Sequence, residues 1–235
     1  MSALILDIET VGEDWSAIDE QTKKVLAERI TRLDPKLSDE DCAEQAEENL
    51  GFSPYTGQIV TVGVLDCDTQ KGAVYYQAPG AKSVVKDVDG IKFAVTSERE
   101  MLEKFWELSS RYTEFVTFSG RVFDIPYFMI RSAILGVKPA KDLMRGRYLY
   151  QQSPGAIHID LHDQMSFYGA ITKLGGLHLA CRAFGIETPK DGEIDGAKVG
   201  EYFKAGKYDQ IAQYNARDLD STRQLYLKWK QYLAF

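Results

Sequence analysis

The 235-residue chain has only three cysteines and three histidines. Cys42, Cys67 and Cys181 are odd in number and widely spaced. That pattern supports neither a disulfide framework nor a CxxC zinc site, and it points to a reducing, cytoplasmic setting. No apolar run approaches the roughly 20 residues needed to span a bilayer, so no membrane partner is expected. The first residues, MSALILDIET, lack the basic start, long apolar stretch and small-residue cleavage site of a signal peptide. Positive charge is also short: 28 Lys and Arg stand against 35 Asp and Glu, a formal net charge of −7. Proteins that grip a long stretch of duplex are usually basic. Acidity disfavours that role, but not a small site where metal ions mediate contact with a few nucleotides. There is no internal repeat and no low-complexity segment.

What the chain does have is apolar content, 44% of its residues, and enough length for one well-buried domain over residues 1–235. Leu4 to Ile8 reads as a short buried strand. Residues 16–49 are charged and helix-prone. They break at Asp34-Pro35, where a helix stops, and restart at Ser38 followed by Asp39, Glu40 and Asp41. This predicts two helices inserted after the first strand. Gln58–Cys67 and Ala73–Gln77 read as strands. Thr96–Tyr112 carries Met101, Leu102, Phe105, Trp106 and Leu108 at helical spacing. Phe115–Phe118 and Ala156–Asp160 read as strands, and Ile125–Leu135 as a helix. From Leu174 the chain is mostly helical, with a last helix from Tyr208 to Leu233. The order predicts an α/β protein with a mixed sheet flanked by helices.

Three segments place carboxylates where apolar residues are expected. In Leu4-Ile5-Leu6-Asp7-Ile8-Glu9-Thr10, alternate residues share a face, so Asp7 and Glu9 point the same way as Ile5. A strand apolar on both faces is central, and a buried carboxylate there calls for a compensating cation; the plainer alternative is a strand running out into a polar loop. In the last helix, Tyr214, Asp218 and Thr222 occur four apart and line one edge. That edge borders the inward stripe of Ile211, Ala212, Leu219, Leu225, Tyr226 and Trp229. Here the alternative is an ion pair from Asp218 to Arg182 or Arg131. In TFSGRVFDIPYF, Asp124 stands between a buried strand and a helix, and capping that helix is the alternative to ligating a metal.

Taken together the three segments resemble the three exonuclease motifs of the DEDD superfamily, in its tyrosine subclass. LILDIET matches the first motif, with Asp7 and Glu9. TFSGRVFDIPYF resembles the second, with Asp124, and YNARD matches the third, with Tyr214 four residues before Asp218. The histidine subclass would have histidine where this chain has Gln213. The chain resembles most the stand-alone proteins related to the proofreading exonuclease domain of family B DNA polymerases. PYTGQIVTVGV, DLHDQMSFYGA and the stretch from Gly192 to Trp229 carry that likeness too. One departure is Ser119-Gly120, where the second motif commonly has Asn-Gly, and it bears on substrate positioning.

The resemblance implies a ribonuclease H-like fold and a 3′→5′ exonuclease that releases 5′-mononucleotides. It implies two Mg²⁺ or Mn²⁺ ions bound by Asp7, Glu9, Asp124 and Asp218, hard oxygen ligands that suit such cations. Asp7 bridges the two, Glu9 and Asp218 hold the ion that carries the attacking water, and Asp124 serves the other. Tyr214 orients the water. Single-stranded nucleic acid is the implied partner, with DNA favoured and RNA possible. Thr10, Val11, Ser119 and Phe123 are the expected substrate contacts. Tyr127 and Phe128 are further stacking candidates, against the alternative of core packing. Lys138, Lys141, Arg145 and Arg147 are either a phosphate track or a solvated loop.

Other features carry less. His158 and His162 fall across an alternating strand and are not expected to share a metal. Gly175-Gly176 reads as a helix entry, Asp160 and Asp163 have no assigned role, and the insert is a lid, a dimer surface or a solvated cap. The rival functions are an exoribonuclease with the same site, a catalytically silent nucleic-acid-binding module, and a proofreading subunit serving a separate polymerase.

Overall fold

The computed structural model describes residues 2–82, 85–186, 194 and 196–234. Seven strands form one mixed sheet: β1 (Ala3–Gly12), β2 (Gly57–Asp66), β3 (Gly72–Tyr76), β4 (Val85–Val88), β5 (Ile91–Val95), β6 (Glu114–Thr117) and β7 (Ile157–Asp160). Their spatial order is β4-β5-β3-β2-β1-β6-β7. The described helices are α1 (Glu20–Leu33), α2 (Asp39–Glu48), α3 (Glu98–Ser109), α4 (Asp124–Ile134), α5 (Leu161–Met165), α6 (Leu177–Ala183), α7 (Val199–Lys204) and α8 (Tyr208–Tyr232). The expected mixed sheet flanked by helices is what the chain forms.

β1 is central because it is apolar on both faces. Leu4, Leu6 and Ile8 pack with Met101, Leu102 and Phe105 of α3 and Ile125 and Phe128 of α4. Ala3 and Ile5 pack on the other face with Ala212, Leu219 and Leu225 of α8. Strands β1, β6 and β7 run parallel, so their carboxyl ends lie along one edge of the sheet. Ligand sites in open α/β sheets form outside such ends.

The insert forms the two expected helices. Asp34 is the C-cap of α1, and Ser38 caps α2 in a reciprocal box with Asp41. Two strands at one end of the sheet, β4 and β5, were not foreseen. β4 is exposed at every residue and offers no burial pattern to read. It pairs with β5 through Asp89 and Gly90, both at positive φ, the Asp-Gly hairpin turn whose backbone twist suits paired strands. Leu161 belongs to α5, not to the preceding strand: Asp160 accepts from the N–H groups of His162 and Asp163 and so ends β7 by capping a helix. No helix of the described residues is long and apolar enough to cross a membrane.

Candidate active site

Asp7 and Glu9 leave β1 on the face that α8 covers, and Asp218 meets them from α8. One carboxylate oxygen from each of the three lies within 4.8 Å of the others. β1 pairs with β6 only over Ala3–Ile5, so beyond Ile5 that side of β1 has open backbone. Asp124 fills the gap, its Oδ1 accepting the Ile8 N–H at 3.2 Å. Asp124 is therefore not the helix cap. It is the first residue of α4, Phe123 holds the cap position, and no side chain caps that helix. The carboxylate stands close enough to raise the pKa values of Asp7 and Glu9, without belonging to the set of three.

All four acids are perturbed in one direction. Withdrawal from water raises Asp7 well above the usual carboxylate range, and the negative charges of Glu9, Asp124 and Asp218 raise it further. Glu9 is raised by burial and by Asp218 and Asp124. Burial lifts Asp124 to about 7 and Asp218 to about 6. Among the described residues no cation forms an ion pair with any of the four. Arg131, one partner weighed for Asp218, is instead bound to Glu98. The Arg217 charge lowers Asp218 without forming an ion pair with it, and four crowded oxygen donors with no ion-paired counter-charge fit a divalent cation. The Tyr214 hydroxyl is hydrogen-bonded to Asp218, and burial raises its pKa. It stays a protonated phenol at neutral pH and acts as a hydrogen-bonding group, not a base.

A cleft of about 150 Å³ opens beside Glu9. Thr10, Val11 and Gly12 form one wall, Phe123 another, and Gly196, Ala197 and Gly200 a third. The end of the insert supplies the rest through Glu48, Gly51 and Phe52. Phe52 is 59% exposed and meets the Phe123 ring edge-on at 6.4 Å. Phe52 stands just past the expected insert, residues 16–49, and was missed in the sequence. The Thr10 hydroxyl donates to the Gly51 carbonyl at 2.7 Å, tying the insert to β1. Val11 borders the cleft with its side chain buried beside Val60, Val199 and Ile211.

Ser119 does not line the cleft. It sits at φ 61°, and its N–H donates to Asp160 Oδ1 at 2.9 Å while the Arg121 N–H donates to Oδ2 at 2.9 Å. Asp160 thus fixes the loop that delivers Phe123 and Asp124. Tyr127 and Phe128 are fully buried, so core packing is their role. Lys141 donates to the carbonyls of Tyr112 and Gly155, and Arg147 pairs with Asp163. Arg145 donates to the Ser153 hydroxyl at 3.2 Å, so these three cations hold the fold. His158 is buried with Nε2 2.8 Å from the Thr117 hydroxyl, while His162 packs edge-on against Phe118. The two do not converge. Gly176 opens α6, as the helix entry reading required.

Residues 69–234 match the family described as "Predicted 3'-5' exonuclease related to the exonuclease domain of PolB". Two curated relatives are DNA polymerase 1 of Sulfolobus acidocaldarius, 22% identical over 235 residues, and DNA polymerase 1 of Sulfurisphaera ohwakuensis, 23% identical over 236. Each alignment covers 93% of this chain and 26% of the relative, so the chain spans about a quarter of their length. The solved family B DNA polymerase from the archaeon Pyrobaculum calidifontis superposes with a TM-score of 0.62 at 18% identity, over 97% of this chain and 24% of that one. The shared architecture is the ribonuclease H-like fold.

Proposed function

The chain belongs to the family described as predicted 3′-5′ exonucleases related to the exonuclease domain of PolB, and from that premise we propose that it hydrolyses single-stranded DNA from the 3′ end, releasing 5′-mononucleotides. The observation that carries this reading is the convergence of Asp7, Glu9 and Asp218 without an ion-paired counter-charge, with Glu9 lining the adjoining cleft.

In this reading the terminal nucleotide enters between the Thr10–Gly12 backbone and the Phe52–Phe123 pair. Base stacking on such rings contributes about 1–3 kcal/mol per base. Asp7, Glu9 and Asp218 would hold one Mg²⁺ or Mn²⁺, and Asp124 would help to hold a second. Such cations would supply activation of the attacking water and stabilisation of the leaving oxygen in an in-line displacement. Tyr214, its hydroxyl already bonded to Asp218, orients that water by hydrogen bonding. Asp160 keeps the Ser119–Asp124 loop in register so that Asp124 stays at the strand edge. DNA is favoured because the named relatives are DNA polymerases; nothing in the carboxylate chemistry itself reads the 2′-OH that separates RNA from DNA.

The test incubates the purified protein with 5′-labelled single-stranded DNA and RNA in Mg²⁺ or Mn²⁺, beside EDTA and Asp7→Ala controls. The expected result is a ladder shortening from the 3′ end of DNA, absent in both controls, with Tyr214→Phe slowed less severely. A ladder on RNA alone would reassign the substrate. No shortening of either strand at metal concentrations that saturate the protein would favour the silent binding module.

A further inference from the structure

The four carboxylates leave one neighbour unexplained. Asn215 is fully buried, and it lies on the inward stripe of α8 with Ile211 four residues before and Leu219 four after. An amide at such a position displaces an apolar side chain from the core, which costs stability unless its polar atoms are used. Its Nδ2 donates to Asp7 Oδ2 at 2.7 Å, and the same amide favours the charged form of Glu9. Its Oδ1 has no hydrogen-bond partner.

The opposite strand is shaped to admit it. In the β1–β2 register Asp7 stands beside Gly63, a glycine inside a run of buried β-branched residues. A glycine in a strand interior weakens the strand and marks a close approach. A Cβ on Gly63 would lie 1.9 Å from Asn215 Oδ1 and 2.7 Å from Leu219 Cδ1. No larger residue at 63 coexists with the amide in this place. Two unfavourable choices, an amide on an apolar stripe and a glycine in a central strand, therefore meet at one point, and that point is Asp7.

We infer that Asn215, seated over Gly63, is a positioning residue that holds the Asp7 carboxylate in the orientation in which it takes a divalent cation. The inference rests on the metal reading of the site. The amide donates to Asp7 Oδ2, which sets the rotation of that carboxylate and leaves Oδ1 free to face the site. Partners that orient ligating carboxylates in this manner typically change metal affinity about 10–100-fold when removed.

The experiment measures Mn²⁺ binding by calorimetry on wild type, Asp7→Ala, Asn215→Ala, Asn215→Leu and Gly63→Ala, together with thermal unfolding of each in EDTA and the split of kcat from KM on a 3′-labelled strand. Asn215→Leu fills the amide's volume without its donors, so it separates a packing role from a positioning one. The expected result is Mn²⁺ affinity about 10–100-fold weaker in both Asn215 variants, with unfolding of Asn215→Leu close to wild type and the loss of activity falling on kcat. Gly63→Ala should weaken Mn²⁺ comparably, and adding it to Asn215→Ala should cost less than about twofold more. Wild-type Mn²⁺ affinity in Asn215→Leu, with Asp7→Ala unable to bind, would overturn the inference and leave the metal reading standing. Wild-type binding by Asp7→Ala would overturn both.

Discussion

Two sets of buried carboxylates in this protein meet the same physical problem in opposite ways. Glu98, 8% exposed, receives the Arg131 guanidinium in two bonds of 2.8 and 2.7 Å and the Ile59 N–H at 2.8 Å. Its charge is matched and its lone pairs are occupied, and the pair joins α3 and α4 to the start of β2. Asp7, Glu9, Asp124 and Asp218 crowd together with backbone, amide and phenol donors but no ion-paired cation among the described residues. The first set is complete as folded, whereas the second is left wanting a positive charge. Burial alone therefore does not distinguish these acids; crowding of several carboxylates without a paired counter-ion does.

The strongest way to break this comparison is to neutralise one acid from each set. Asp218→Asn should lower cleavage by at least about 10³-fold, because it removes one of the acids proposed to hold the cation that activates the water, while its unfolding temperature in EDTA stays at or above wild type. Glu98→Gln should destabilise the fold by roughly 3–5 kcal/mol, because it strands a buried guanidinium, and leave Mn²⁺ affinity unchanged. Exchange of these two phenotypes would mean that the roles have been assigned the wrong way round.

A smaller effect is expected from pH. Asp124 and Asp218 have folded pKa values of about 7 and about 6, above the unfolded value of about 3.9. A raised carboxylate binds its proton more tightly in the folded state. Its contribution is complete below about pH 4 and is lost as pH rises through 6 and 7. Buried His158, lowered to about 3, works in the opposite sense, so the measurement is the difference between proteins. In EDTA, wild type should lose more stability than Asp124→Asn or Asp218→Asn between pH 5 and pH 8, and saturating Mg²⁺ should erase that difference. Parallel pH profiles for the three proteins would show that these carboxylates are not strained against one another.

The smallest expected effect is at Ser119, whose φ of 61° lies in the left-handed region. Asparagine tolerates that region better than serine, and the local cost it relieves is at most about 1–2 kcal/mol. Ser119→Asn should raise the unfolding temperature slightly without changing Mn²⁺ affinity, because Ser119 supports the loop and does not line the cleft. A lowered unfolding temperature would show that the side chain, not the backbone angle, governs this position.

Much of this was legible in the sequence, for reasons that differ by element. β1 could be read because apolar residues alternate on both faces around Asp7 and Glu9, and α8 because its stripe spans 25 residues. The insert helices were legible from their caps. β4 was not, because an exposed edge strand carries no burial pattern, although Asp89-Gly90 did announce a turn. Asn215 and Gly63 each left a signal, an amide on an apolar stripe and a glycine in a buried strand. Neither signal has meaning until the two residues are known to be neighbours. Phe52 left none.

The sequence by itself determined which carboxylates stand among apolar residues and which faces of β1 and α8 they occupy, because strand and helix periodicities are local properties of the backbone. Only the tertiary structure decided what those side chains meet. It brought Asp218 to Asp7 across more than 200 positions of chain and turned Asp124 from a helix cap to the open edge of β1. It also spent Lys141 and Arg147 on the fold and laid the end of the insert along the cleft. Those outcomes depend on how the sheet is ordered and where β6 stops pairing with β1, and no local pattern encodes either.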